Sequence, residues 1–232
     1  LIGVTDYSLD REEEIIKKFL SYKPEGIIIV GTQHNDYTNS ILLASKLPIV
    51  ETWNITDKPL DVVVGFSNFS AGYQITDHII NLNYKKIAFA TPIQNHMKNE
   101  KRSKRRLSGY LSRMKEAKIK PIIFEYTEPM NHKKCGYEIF KQYNNNKKNI
   151  DCVICGSEVS GTGFLGELSF HKIKIPQALG IAAVGNAEIT SLIHPKLTTM
   201  DFKVFDIGIL AATNLVARLN KEKVKKTIFD VG

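Results

Sequence analysis

The chain has 232 residues, 43% hydrophobic and 24% charged, an ordinary globular composition with material for one large core or two lobes. No run of about 18 apolar residues occurs, so a membrane-spanning helix is not expected. The net charge of +8 permits a polyanionic partner, but the lysines are scattered, as at Lys17, Lys18, Lys85, Lys86, Lys133, Lys134, Lys147 and Lys148, and dispersed charge marks a solvated face.

In chain order, Asp10 followed by Glu13 predicts a capping box, and Ile15, Ile16, Phe19 and Leu20 then form the apolar stripe of a helix. Gly26 to Val30 is a short apolar run that predicts a buried strand, with Thr32, Gln33 and His34 in the loop after it. Pro48 to Thr52 and Val62 to Val64 repeat that strand pattern, and Trp53 follows the first of them. Ala71, Ile75, Ile79 and Leu82 return to helical spacing before a strand at Ile87 to Ala90. Leu107, Tyr110, Leu111 and Met114 predict the next helix, and Ile122 to Tyr126 the next strand. Asn144 to Asn149 reads as a polar loop. Ile150 to Ile154, a helix carrying Phe164, Leu165 and Leu168, and Leu179 to Val184 continue the alternation. P-K-L-T-T-M from Pro195 returns to a strand, and Ile207, Leu210, Ala211, Leu215 and Leu219 supply a final helix. Regular alternation of this kind predicts α/β architecture with doubly wound parallel sheets and ligands at the carboxyl ends of strands.

Chemistry is sparse along most of the chain. Cys152 and Cys155 lie in I-D-C-V-I-C, where residues three apart on a strand point to opposite faces, so this pair suits neither a redox couple nor zinc. Buried reduced thiols in a cytoplasmic protein are the better reading. The six histidines, at 34, 78, 96, 132, 171 and 194, lack metal-ligand spacing, so no metal site is expected. No nucleophile elbow, Walker loop or G-x-G-x-x-G is present, and G-T-G-F-L-G from Gly161 is only a near miss; neither catalytic residues nor a cofactor are expected. The most specific signal is K-R-S-K-R-R-L-S-G-Y from Lys101 to Tyr110. With Ser103 as N-cap, Lys104, Arg105 and Arg106 fall in the first turn, where cations oppose the helix dipole by a few tenths of a kcal/mol each. Such a turn makes sense facing an anionic ligand. The other reading is a solvated basic helix end.

Five segments in order carry a family resemblance: G-F-S-N-F-S-A-G from Gly65, N-Y-K-K-I-A-F from Asn83, R-L-S-G-Y from Arg106, C-G-S-E-V-S-G-T-G from Cys155 and P-K-L-T-T-M from Pro195. Together they resemble the effector-binding region of the LacI/GalR family of bacterial transcription repressors. V-E-T-W-N from Val50 and P-L-D-V-V-V-G-F-S-N from Pro59 look most like the gluconate regulators within it. The resemblance implies a periplasmic-binding-protein-like (type I) fold of two Rossmann-like lobes, with ligand in the interlobe cleft. Three chain crossings are implied near Phe66, Asp201 and Lys226. They give one lobe of residues 1–66 and 201–226 and another of 67–200 and 227–232. L-I-G-V-T-D from Leu1 then corresponds to the family's second strand. The helix-turn-helix, and one strand and helix of the first lobe, are expected to be missing from this chain.

By the same resemblance, Arg106 matches the effector-contacting arginine of R-x-x-G, with Arg105 beside it. Ser157 and Glu158 stand where much of the family has Asn-Asp. In V-G-N-A-E from Val184, Gly185 and Asn186 are taken to replace the usual acidic pair, which lowers repulsion toward an acidic effector. Asn68 is a candidate near the lobe crossing or a turn and cap residue. Trp53 is a candidate cleft wall or plain core, and Thr32 and Gln33 are candidate cleft-loop contacts. The implied function is a cytoplasmic, non-enzymatic, homodimeric sensor of a sugar acid such as gluconate. It would control operator DNA binding through a helix-turn-helix outside this chain, with no membrane partner. The competing expectation is a periplasmic sugar-binding protein serving a transporter.

Overall fold

The computed structural model describes residues 1–93, 101–128, 130–222 and 226–232. In chain order the elements are α1 (Leu9–Ser21), β1 (Ile27–Val30), α2 (Asp36–Ser45), β2 (Ile49–Thr52), β3 (Val62–Gly65), α3 (Asn68–Asn81), β4 (Ile87–Pro92), α4 (Lys101–Glu116), β5 (Ile122–Tyr126), α5 (His132–Asn146), β6 (Cys152–Cys155), α6 (Glu158–Phe170), β7 (Gly180–Val184), α7 (Ile189–Leu192), β8 (Thr198–Met200), α8 (Val204–Leu219) and β9 (Ile228–Asp230). They form two units, residues 1–67 with 203–232, and residues 68–202.

The first unit holds a parallel sheet in the order β1-β2-β3-β9. Middle strands β2 and β3 are buried on both faces, as uninterrupted V-V-V and I-V runs require. One core of Ile16, Ile27, Ile29, Leu42 and Ile49 joins α1 and α2 to β1 and β2, while α8 packs on β2 and β3. Strand β1 lies at the sheet edge, with Ile27 and Ile29 buried and Ile28 and Val30 exposed.

Three expectations for this unit are corrected. The N-cap of α1 is Ser8, not Asp10: the chain turns at positive φ through Asp6 and Tyr7, Ser8 is the extended residue before the helix, and its hydroxyl accepts from the Arg11 amide. Leu1 to Thr5 is not a strand, because among the described residues no ladder pairs with it, and an extended segment needs such a neighbour to satisfy its backbone groups. Residues 227–232 do not join the other unit, since β9 pairs with β3 through Val63↔Ile228, Val64↔Phe229 and Gly65↔Asp230.

The second unit holds a parallel sheet in the order β5-β4-β6-β7-β8. Alternation along the strands divides its two faces. Ala88, Ala90, Val153, Cys155, Ile181 and Ala183 enter a core with Ile139 and Phe140 of α5 and Phe164, Leu165 and Leu168 of α6. On the other face Phe89 stacks on Tyr110 of α4, ring centroids 5.1 Å apart. The sheet is therefore doubly wound. From β4 the chain steps outward to β5 and then back to β6 on the opposite side, so the carboxyl ends of β4 and β6 form a topological switch point.

Cys152 and Cys155 are buried in β6 and Cys135 in α5, all three unpaired, and burial pushes the thiols of Cys152 and Cys155 up. Among the described residues, no helix is long and apolar enough to cross a membrane.

Candidate ligand-binding site

Arg106 reaches the switch point of the second unit. Its Nε donates to Asn68 Oδ1 at 2.8 Å and its Nη1 to the Gly156 carbonyl at 2.8 Å, and its guanidinium carbon lies 5.2 Å from the centre of the Phe202 ring. Three separate elements therefore hold one guanidinium: the first residue of α3, the turn after β6 and the segment after β8. Gly156 sits at the strand end because its own amide still pairs with Ala90 in β4, at 2.8 Å. The arrangement fixes a planar cation at the carboxyl ends of parallel strands, which suits recognition of a carboxylate or phosphate.

The helix around it is longer than the sequence pattern suggests. Ser103 lies inside α4, which includes Lys101 and Arg102, so Ser103 is not the N-cap and Arg106 stands in the second turn. The anion-binding case for Arg106 thus rests on its contacts with Asn68, Gly156 and Phe202 and not on the helix dipole. Arg105, about 100° further round the helix, is exposed.

Ser157 has a structural task. Its hydroxyl caps α6, accepting from the Ser160 amide at 3.2 Å, while Ser160 Oγ accepts from the Ser157 amide at 3.3 Å, a reciprocal box. Tyr126 lies beside the same pair: burial pushes its phenol up, and the nearby Ser160 and Ser157 hydroxyls partly offset that. Glu158, in the first turn of α6, is half-buried, and its carboxylate makes no hydrogen bond or ion pair among the described residues. Asn186 is exposed, and its Oδ1 accepts from Thr190 at 3.3 Å and Thr199 at 3.2 Å. Sequence reasoning missed Phe202, Tyr126 and Ser160. Only Phe202, next to the P-K-L-T-T-M motif, carried a positional signal.

In the first unit, Thr32 and Gln33 are half-buried in the loop after β1. Trp53 follows β2 in a left-handed conformation, φ 70°, with its amide bonded to Val64 and its ring edge-on to Phe66 at 6.2 Å. His34, expected with that loop, is instead buried between carboxylates. Its Nδ1 bonds Glu12 at 2.6 Å, and its Nε2 stands 3.6 Å from Glu51, long for a hydrogen bond and therefore a Coulombic contact. Burial pushes its pKa down, but the two carboxylates push it further up, to about 9. Among the described residues, no group of three or more His, Cys, Asp or Glu could hold a metal ion. His96 lies outside the described residues.

Residues 76–231 match the family described as periplasmic binding protein-like domain. The chain is 25% identical over 226 residues to the HTH-type transcriptional regulator GntR of Escherichia coli (strain K12), covering 97% of this chain and 66% of that protein. It is 25% identical over 232 residues to the HTH-type transcriptional regulator IdnR of the same organism, covering 100% of this chain and 68% of that protein. Among solved structures, a LacI-family transcriptional regulator from Silicibacter pomeroyi superposes with TM-score 0.90 at 27% identity, covering 100% of this chain and 69% of the other. The regulator GntR from Chromobacterium violaceum shares the fold, with TM-score 0.91 at 24% identity, covering 100% of this chain and 84% of the other.

Proposed function

The chain belongs to the periplasmic binding protein-like domain family, in the form found in LacI-type transcriptional regulators, and from that premise we propose that it senses a small sugar acid, gluconate or a close relative. The observation that carries the proposal is the Arg106 guanidinium, held by Asn68, Gly156 and Phe202 at the strand ends. A carboxylate meeting it would form charge-assisted hydrogen bonds, and the hydroxyl-bearing remainder would find acceptors and donors in Glu158, Asn186 and Ser157. Arg105, in the same unit as Arg106, is a further candidate of this proposal. The similarity to the regulators GntR and IdnR supports this reading.

In this reading the chain is a sensor and not an enzyme. Its ligand would favour one conformation and so bias the engagement of operator DNA by a homodimer, with the DNA contact made by residues outside this chain. Unpaired buried cysteines accord with the cytoplasm, where such a regulator would act.

Calorimetric titration with gluconate, gluconate 6-phosphate, a neutral hexose and a dicarboxylate tests the class. Sugar-acid binding that weakens roughly hundredfold in Arg106→Ala is expected, from the loss of two charge-assisted bonds. The substitution removes the Arg106–Asn68 and Arg106–Gly156 hydrogen bonds, so a stability loss of about 1 kcal/mol should accompany it without unfolding. Equal affinity in wild type and variant would remove Arg106 from the site.

A further inference from the structure

Resting on the reading that Arg106 meets the ligand's anionic group, we propose that Asn68 and Gly72 of α3 are positioning residues that set the direction and depth of the Arg106 guanidinium. Asn68 is only 2% exposed, so it offers almost no surface to a ligand, and its Oδ1 bonds the nitrogen on the stem of the arginine. A bond at Nε fixes the plane of the whole group. The bond from Nη1 to Gly156 and the Phe202 ring on one face then define which edge is presented.

Gly72 follows Asn68 by one turn on the same helix and touches the backbone of Arg106 itself. A Cβ there would fall onto the Arg106 carbonyl oxygen, 2.7 Å from its carbon and 2.9 Å from Arg106 Cα. These are backbone atoms, so no side chain can swing aside to make room. Gly109, on the turn after Arg106, makes the reciprocal approach to Phe69 and Tyr73 of α3. The two bare positions let α3 and α4 cross closely enough for a short asparagine side chain to span the gap. Moving α4 away by about 1 Å would stretch the 2.8 Å bond to Asn68 past useful hydrogen-bond range. Gly72 thus acts on the ligand site through the arginine.

Ordinary helix packing predicts only a stability effect, and two readouts separate it from positioning. The first is the ¹⁵Nε–H resonance of Arg106 in ligand-free protein, identified by its loss in Arg106→Lys. It should exchange slowly in wild type, vanish into fast exchange in Asn68→Ala, persist in Asn68→Asp, which keeps the acceptor oxygen, and shift or broaden in Gly72→Ala. The second is calorimetry with the sugar-acid panel. Asn68→Ala and Gly72→Ala should each weaken binding about tenfold in wild type and have no further effect in an Arg106→Lys background. An unmoved resonance in Asn68→Ala, or losses that add in the Arg106→Lys background, would overturn the proposal. Should Gly72→Ala fail to fold, the Asn68 pair still decides the role of α3. Should no panel member bind the wild type, the sugar-acid reading fails, while the resonance independently reports whether Arg106 is held as proposed.

Discussion

His34 shows how a residue's surroundings can reverse its apparent role. Its place after β1 suggests a loop contact, yet its side chain is 1% exposed, and Glu12 and Glu51 flank it from α1 and β2. Folding raises its pKa from 6.5 to about 9, so the native state binds the proton more tightly than the unfolded chain. The resulting stabilisation, roughly 3 kcal/mol, is present in full below pH 6.5 and is lost as pH rises through about 9. Denaturant unfolding of wild type and His34→Gln near pH 6 and near pH 10 should therefore show a stability gap that narrows at high pH. A gap constant with pH would mean that His34 is neutral in the fold. Among the candidate residues, Arg106 and Asn68 could be singled out because a short motif carried each, but the hydrogen bond that joins them was not readable from spacing along the chain. Ser157 as a cap, Tyr126 beside it and His34 as an ion-pair member depend on neighbours distant in sequence, which spacing along the chain does not reveal.

Elements were legible in proportion to how one-sided their environment is. Strands β2, β3, β4, β6 and β7 are buried throughout and read directly as apolar runs. Helices α2 and α5 were not marked in advance. H-K-K-C-G-Y-E-I-F-K-Q-Y-N-N-N in particular spreads four buried side chains, Cys135, Ile139, Phe140 and Tyr143, through a polar sequence. Strand β9 is three residues long and is defined by its pairing with β3 rather than by composition. Glycine has the same ambiguity, which contacts resolve within one helix. In α6, a Cβ at Gly163 would strike the His132 carbonyl of α5, 2.8 Å from its carbon, whereas a Cβ at Gly166 would meet nothing within 4 Å. Gly163→Ala should destabilise by about 2 kcal/mol or more through forced separation of the helices. Gly166→Ala should stabilise by about 0.5–1 kcal/mol through helix propensity. Thermal and denaturant melts of the two variants should move in opposite directions, and movement in the same direction would refute the close α5–α6 crossing.

For the molecule as a whole, the first sheet sets a hazard against the net charge. Strand β1 is an edge strand whose outer side pairs with no strand among the described residues, and Ile28 and Val30 on it are 48% and 57% exposed. An edge with apolar side chains is a template for pairing with another chain. The charge of +8 opposes such encounters, because copies repel at low ionic strength. Salt shortens that repulsion to a few ångströms while leaving edge pairing and apolar contact nearly untouched. Self-association followed by sedimentation velocity should therefore increase between about 20 mM and about 500 mM salt, opposite to the trend for association driven by ion pairs. Val30→Lys should suppress the increase, since it places a charge on the edge itself, and should leave the melting temperature nearly unchanged because the side chain it replaces is already exposed. Association that falls with salt, or that survives Val30→Lys intact, would place the contact elsewhere on the molecule.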